Sequence, residues 1–197
     1  MSKIIFVPGF FENPWMPRYR KFRQELKVEH PEVDLDIVKM RWFFRVMTDY
    51  INVTHRALTT HQPEIAGGFS YGANALLIAA AKLAPQYRPK RLVLASMSDE
   101  FAEELRYAEW HPNYMMQDLR RYHLDNIAEE LGTTTKTYVL ASDKEIEQNS
   151  HFGRHIDRTA ERLQGSDKPI IIESGTSHPF NMASPIYRKQ VIDLLTQ

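Results

Sequence analysis

Six short apolar segments alternate along the chain with longer segments in which apolar residues recur at helical spacing. The apolar segments span 4–7, 35–42, 63–69, 91–95, 137–141 and 169–172; the helical ones span 19–28, 48–60, 73–83, 151–163 and 186–195. Short apolar runs rich in β-branched residues are typical of buried strands. Their alternation with helices predicts an α/β fold, a three-layer α/β/α sandwich whose six-stranded, mainly parallel sheet is covered on both faces.

Residues 99–132 interrupt this alternation with a polar, helical stretch that Pro112 divides into two pieces. This stretch is either a cap over a binding site or a crossover helix with a longer approach. As a cap it would offer large side chains to a substrate, namely Trp110, Tyr114, Met115 and Met116. No repeat, low-complexity tract or linker divides the chain, so we expect residues 1–197 to form a single domain.

Composition excludes several classes of function. Lys plus Arg and Asp plus Glu balance at 25 each, so no overall field attracts nucleic acid. The absence of cysteine excludes disulfides, thiolate metal sites and a cysteine nucleophile. No apolar stretch is long enough to span a membrane, and the run at 4–7 is too short for a signal sequence, so a cytoplasmic protein is expected.

The strongest chemical signal is the turn Gly68-Phe69-Ser70-Tyr71-Gly72, which follows an apolar strand and opens a helix rich in alanine. A serine at such a sharp turn is held in a strained conformation that exposes its hydroxyl above the sheet. Glycines are needed beside it because strand and helix approach closely there. These residues favour a nucleophilic serine, while the alternative is a turn serine that only caps the helix.

A serine nucleophile needs a base, and His178 is the candidate among eight histidines because it alone follows a late apolar strand. That strand would bring it to the same carboxyl edge of the sheet as Ser70. His151 and His155 lie four residues apart on a helix and could share a metal, but no third ligand accompanies them, so solvated side chains are expected. We therefore predict no metal and no cofactor.

The third member of the site should be a carboxylate that orients the imidazole. Asp143 directly follows the strand at 137–141 and is favoured. Glu145, two residues further on, and Asp99, after the fourth strand, are alternatives because loop geometry cannot be read from spacing.

Taken together, these residues resemble the α/β-hydrolase superfamily, specifically its small single-domain serine esterases. The resemblance rests on Val7-Pro8-Gly9-Phe10 after the first strand, the turn at 68–72, an acid after the penultimate strand and His178 after the last. It spans nearly the whole chain and implies a minimal form of the fold with the sheet order 2-1-3-4-5-6. It also implies that the backbone N–H groups of Phe10 and Tyr71 form an oxyanion hole. Pro8 stands where many members have histidine, which leaves these backbone donors in place.

The expected function is a serine hydrolase, carboxylesterase-like or thioesterase-like, that forms an acyl-enzyme on a small, partly apolar acyl substrate. The alternatives are a non-catalytic binding or scaffold protein on the same fold, or an acyltransferase that uses the same residues. Aromatic residues in the loops after the first two strands would line an apolar pocket or anchor those loops; they are Phe10, Phe11, Trp15, Trp42, Phe43 and Phe44.

Overall fold

The computed structural model describes residues 2–40, 46–98, 101–103, 113–163 and 168–197. Within these ranges six strands form one sheet: β1 (Ser2–Val7), β2 (Val33–Ile37), β3 (Ile65–Phe69), β4 (Arg91–Ala95), β5 (Lys136–Ser142) and β6 (Ile170–Ile172). The sheet order is β2-β1-β3-β4-β5-β6, and neighbouring strands are parallel throughout. The predicted sheet and its order are therefore confirmed.

Eight α-helices lie in the described ranges: α1 (Pro17–Glu29), α2 (Met47–His61), α3 (Tyr71–Ala81), α4 (Asn113–Leu119), α5 (Leu124–Leu131), α6 (Asp143–Gln148), α7 (Ser150–Arg162) and α8 (Pro185–Thr196). Short 3₁₀ helices occupy Pro85–Tyr87 and His178–Ala183. The helical segments that the sequence predicts correspond to α1, α2, α3, α7 and α8. None of the described helices is both long and apolar enough to cross a membrane.

Alternate residues of each strand supply two separate cores, one on each face of the sheet. In β1, Ile4 and Phe6 pack with α1 and α8, whereas Ile5 and Val7 pack on the face that α2 and α3 cover. Helix α3 is buried along its whole length and lies against α2, α5 and the strands. Because successive side chains of a strand point to opposite faces, each strand contributes to both cores. The sheet with helices on each face forms the predicted three layers.

The described part of 99–132 packs into the core instead of covering a site. Helices α4 and α5 contact α2, α3 and α7 through buried apolar residues, namely Met115, Leu119, Leu124, Ile127 and Leu131. The cap interpretation is therefore wrong for 101–103 and 113–132, whose apolar side chains gain more from burial against α3 than from facing solvent. Trp110 and Asp99 lie outside the described residues.

The strand predicted at 35–42 ends earlier, at Ile37. The pairing of β2 with β1 ends at Ile37 and Phe6, after which only the Val38 N–H still donates to the Phe6 carbonyl, at 2.8 Å. The apolar pattern continues past Ile37, since Val38 and Met40 are buried in the core as irregular chain.

Candidate active site

Ser70 occupies the turn between β3 and α3 with a backbone conformation that is rare for a residue with a side chain. Its φ is 54° and its ψ is −131°. Its backbone N–H donates to the carbonyl of Ala95 at 2.9 Å, and its own carbonyl accepts from Ala73 at 2.8 Å. The surrounding hydrogen bonds therefore hold a strained conformation in place at the carboxyl edge of the sheet.

The two glycines of this turn are required by close packing. A Cβ on Gly72 would lie 2.2 Å from the carbonyl oxygen of Pro8, and one on Gly68 would lie 2.8 Å from the Cα of Ala73. Real Cβ atoms do not approach backbone so closely. The strand β3, the helix α3 and the end of β1 thus converge where the sequence predicts a sharp turn.

His178 lies across from Ser70, as the sequence predicts. It begins the short 3₁₀ helix after β6, and its Nε2 lies 2.7 Å from Ser70 Oγ. The imidazole stacks on the ring of Phe69 with centroids 5.4 Å apart and meets the edge of Phe152 at 6.1 Å. Two aromatic rings therefore fix the plane of the imidazole next to the hydroxyl.

The carboxylate that contacts His178 belongs to Glu145 and not to Asp143. The preference for Asp143 over Glu145 is therefore wrong in this structure. Glu145 Oε1 lies 2.6 Å from His178 Nδ1, and Glu145 is 5% exposed. Asp143 instead accepts a hydrogen bond from the backbone N–H of Gly175 at 3.1 Å. Ser70, His178 and Glu145 form one continuous hydrogen-bonded chain.

A capping box explains why Glu145, and not Asp143 two positions before it, reaches His178. Ser142 is the N-cap of α6, its hydroxyl accepts from the Glu145 N–H at 3.3 Å, and its own N–H donates to Glu145 Oε2 at 2.7 Å. A capping-box glutamate at the third helical position turns back toward the end of the preceding strand. Asp143, at the first position, has no such reciprocal bond. The spacing Ser142-Asp-Lys-Glu145 was the sequence signal that could have identified Glu145.

The second oxygen of Glu145 is held by a buried group of side chains that the sequence did not indicate. Ser96 Oγ donates to Glu145 Oε2 at 2.9 Å. Ser96 Oγ in turn lies 2.6 Å from the hydroxyl of Tyr187 and accepts from Asn181 Nδ2 at 2.9 Å. Because the single Ser96 proton goes to the carboxylate, Tyr187 is the donor of the third bond. Every polar atom of this group thus has a partner, which fixes the direction of the carboxylate.

The environment of Tyr187 keeps its phenol protonated. Burial is the larger cause and the charge of Glu145 the next; together they raise the pKa of Tyr187 well above its ordinary value of 10.0. The hydroxyl can therefore donate to Ser96 throughout the neutral range. Ser96 itself, at the end of β4, has a positive φ of 45°, the second strained serine at this edge of the sheet.

Phe10 and Tyr71, whose backbone N–H groups are the predicted oxyanion donors, both border the space in front of Ser70. Their rings contact each other with centroids 5.3 Å apart. Gly9 allows this loop to approach, since a Cβ there would lie 3.2 Å from the Cβ of Ser70. The residues that carry the two predicted donors therefore line the cavity together with Ser70, and their role as an oxyanion hole remains a prediction.

A cavity of about 700 Å³ opens at Ser70 and His178. Its apolar lining includes Phe10, Phe11, Met16, Phe69, Tyr71 and Phe152, and its polar lining includes Glu12, Arg18, Gln148 and Asn149. Of the aromatic residues expected at the pocket, Trp15 does not line it; its ring is exposed beside Lys39. Trp42, Phe43 and Phe44 lie outside the described residues.

No group of three or more His, Asp or Glu side chains that could hold a metal occurs within the described ranges. Of the helical pair, His155 is buried at 1% exposure and packs against the rings of Phe101 and Phe152. The expectation of a solvated side chain was therefore wrong for His155, which belongs to the core around α7.

Solved structures of low sequence identity share this architecture. Est1E from Butyrivibrio proteoclasticus superposes with a TM-score of 0.71 at 11% identity, covering 100% of this chain and 89% of its own. The ydeN gene product from B. subtilis gives 0.69 at 15% identity, covering 100% of both chains. Carboxyl esterase 2 from Tuber melanosporum gives 0.67 at 17% identity, covering 98% of this chain and 76% of its own. The chain therefore has the α/β-hydrolase fold. No protein-family model and no curated protein matches the sequence.

Proposed function

We propose that this protein is a serine hydrolase that cleaves carboxylic esters or thioesters through an acyl-enzyme on Ser70. The observation that carries the proposal is the chain of two short hydrogen bonds, 2.7 Å from Ser70 Oγ to His178 Nε2 and 2.6 Å from His178 Nδ1 to Glu145 Oε1. A carboxylate can only accept a hydrogen bond, so the proton of the neutral ring lies on Nδ1 and Nε2 is left as the acceptor. The imidazole is thus in the tautomer that a general base needs.

The chemistry follows from this arrangement. As Ser70 Oγ attacks the acyl carbon, its proton passes to His178 Nε2, and the Nδ1 proton remains hydrogen-bonded to Glu145. The imidazolium then protonates the leaving oxygen or sulfur, and the acyl group stays on Ser70. Water attacks this acyl-enzyme with His178 again as the base. The N–H groups of Phe10 and Tyr71 would stabilise the negative oxygen in both steps.

The cavity supports a small substrate with an apolar acyl or alcohol part. Its volume of about 700 Å³ is within the range of small-molecule sites. Phe10, Tyr71 and Phe152 present apolar rings near the nucleophile, while Gln148 and Asn149 offer polar groups at one side. Carboxyl esterases are among the proteins that share this fold, which agrees with this substrate class.

Hydrolysis of activated esters tests the proposal. The purified protein should hydrolyse p-nitrophenyl esters of short and medium acyl chains, with a burst of nitrophenol equal to the enzyme concentration if deacylation is slow. Ser70→Ala should lose this activity by at least about a thousandfold. Ser98→Ala is the matched control, because Ser98 lines the same cavity and bonds to Asn74; its activity should stay near that of the wild type. Equal hydrolysis by Ser70→Ala and wild type would contradict the proposal.

A further inference from the structure

Glu12 is a buried carboxylate at the cavity that takes no part in the chain from Ser70 to Glu145. It lies in the loop after β1 and is 6% exposed. Its Oε2 accepts from the Gly9 N–H at 2.8 Å and from the hydroxyl of Tyr19, and its Oε1 lies 2.8 Å from Arg18 Nη1. A buried charge needs such partners, so this arrangement fixes the backbone around Gly9.

Arg18 connects this loop to the segment that carries the histidine. The same Nη1 that pairs with Glu12 also donates to the carbonyl of Pro179 at 2.7 Å. Pro179 directly follows His178 in the chain. A guanidinium nitrogen carries two hydrogens and can serve both acceptors at once. One side chain of α1 therefore joins two segments that are more than 160 residues apart.

The charge of Glu12 lies close to the place where negative charge would develop during ester cleavage. A Cβ on Gly9 would lie 2.8 Å from Glu12 Oε2 and 3.2 Å from the Cβ of Ser70. A bare carboxylate this near to Ser70 would oppose an oxyanion held by the adjacent loop. Arg18 supplies the compensating positive charge.

We infer that Glu12 and Arg18 are positioning residues for both halves of the site. Glu12 holds the loop that carries the Phe10 N–H, while Arg18 neutralises Glu12 and anchors the backbone beside His178. This inference rests on the proposed hydrolase function, since it assigns the pair a role in the same reaction. Neither residue transfers a proton to substrate.

A double-variant comparison separates this role from simple stabilisation. Arg18→Met leaves the charge of the buried Glu12 carboxylate uncompensated, and we expect kcat to fall about 30-fold with KM little changed. This loss of kcat is smaller than the loss that follows removal of a direct oxyanion donor. Glu12→Gln should lower kcat about tenfold, because an amide cannot accept from all three donors. The double variant Glu12→Gln/Arg18→Met should be more active than Arg18→Met alone, since the bare charge is gone. Arg18→Lys should recover part of the loss by restoring the charge.

The control is Lys90→Met, which removes an exposed ion pair with Glu64 and should leave kcat unchanged. Melting temperatures accompany each measurement, and activity is compared well below the lowest of them. The inference is overturned if the double variant is no more active than Arg18→Met, or if the losses appear only in KM. If Arg18→Met does not fold, the inference is tested with Arg18→Lys and Glu12→Gln. A kcat equal to that of the wild type in both variants would overturn the inference. Failure of the wild type itself to show Ser70-dependent turnover would instead reject the proposed function.

Discussion

The turn at 68–72 (the elbow) and the segment at 142–145 (the acid segment) each place a side chain of the proposed site at the carboxyl edge of the sheet, but the two side chains are held differently. In the elbow, Ser70 is fixed by backbone packing in which Gly72 lies against the carbonyls that end β1. In the acid segment, Glu145 is directed by hydrogen bonds to a neighbour, Ser142, and to a distant residue, Ser96. The elbow therefore depends on excluded volume, whereas the acid segment depends on the pairing of polar atoms.

Mutations in the two regions should therefore have different effects. Changes to the glycines of the elbow, Gly68 and Gly72, should act mainly on folding, because the backbone atoms packed against them cannot move apart without disturbing three elements. Changes in the acid segment should act mainly on turnover, because the fold survives while the carboxylate or the imidazole loses its orientation.

Within the acid segment, the largest effect on turnover is expected from Glu145→Gln. The amide would donate to His178 Nδ1 and favour the tautomer that presents a proton to Ser70, so kcat should fall about ten-thousandfold. Asp143→Asn is the matched control on the same short helix and should change kcat by less than about threefold, since it only bonds the backbone of Gly175. Steady-state ester hydrolysis measures both. A large loss in Asp143→Asn with a near-normal Glu145→Gln would reverse the assignment.

The elbow is tested by Gly72→Ala. The added methyl would lie 2.2 Å from a backbone carbonyl, and we expect a loss of more than about 3 kcal/mol in the free energy of unfolding. Gly175→Ala, in the loop before His178, is the comparison. Nothing lies within 4 Å of its Cβ position and its φ is +65°, so only the conformational cost of about 1 kcal/mol applies. Urea denaturation measures both, and equal losses would show that packing does not distinguish the two regions.

The same contrast explains how much of the molecule could be predicted from sequence. The elbow is a local pattern of glycines between a strand and a helix, so Ser70 and its surroundings followed directly from residues 65–75. His178 followed from its place after the last strand. The direction of a carboxylate is not local in this way. Asp143 and Glu145 both follow β5, and only the capping box distinguishes them.

Two other features could not be predicted because they leave no local pattern in the sequence. Helix α6 has six residues, which is too short for an apolar period to show. The bonds from Ser96 to Tyr187 and Asn181 join residues more than 80 positions apart, and hydroxyl and amide groups give no periodic signal. The cap interpretation was wrong for 101–103 and 113–132, the part of that stretch that the structure describes, because buried and substrate-facing apolar residues look alike in sequence.

A smaller effect on turnover is expected from Ser96→Ala. The substitution removes the hydroxyl that donates to Glu145 Oε2 and leaves Tyr187 and Asn181 without their shared acceptor. Loss of such a hydrogen bond is worth about 1 kcal/mol, so kcat should fall about fivefold to tenfold while KM stays constant. Ser174→Ala, which removes a hydroxyl bonded to Thr176 in the loop before His178, is the control. Unchanged kcat in Ser96→Ala would mean that the capping box alone directs Glu145.

The smallest effect concerns alkaline stability. Burial, and next the charge of a neighbouring carboxylate, raise the pKa of Tyr187 and of Tyr19 well above 10.0. The unfolded chain therefore releases these protons first, so the contribution of the two tyrosines to the free energy of unfolding should be constant below about pH 10 and fall above it. Tyr187→Phe should make that fall shallower by up to about 1.4 kcal/mol per pH unit. Urea denaturation between pH 9 and 11 measures the slope, and an unchanged slope would contradict the assigned protonation state.

The proposed function depends on Ser70 being the nucleophile and on its activation by His178 and Glu145. Reaction with a fluorophosphonate probe, followed by mass mapping of the modified peptide, tests this most directly, because the probe forms a covalent bond only with an activated hydroxyl. We predict one adduct per chain, located on Ser70, absent in Ser70→Ala and formed much more slowly in Glu145→Gln than in Asp143→Asn. An adduct on another residue, or no adduct in a folded wild-type protein, would contradict the proposal.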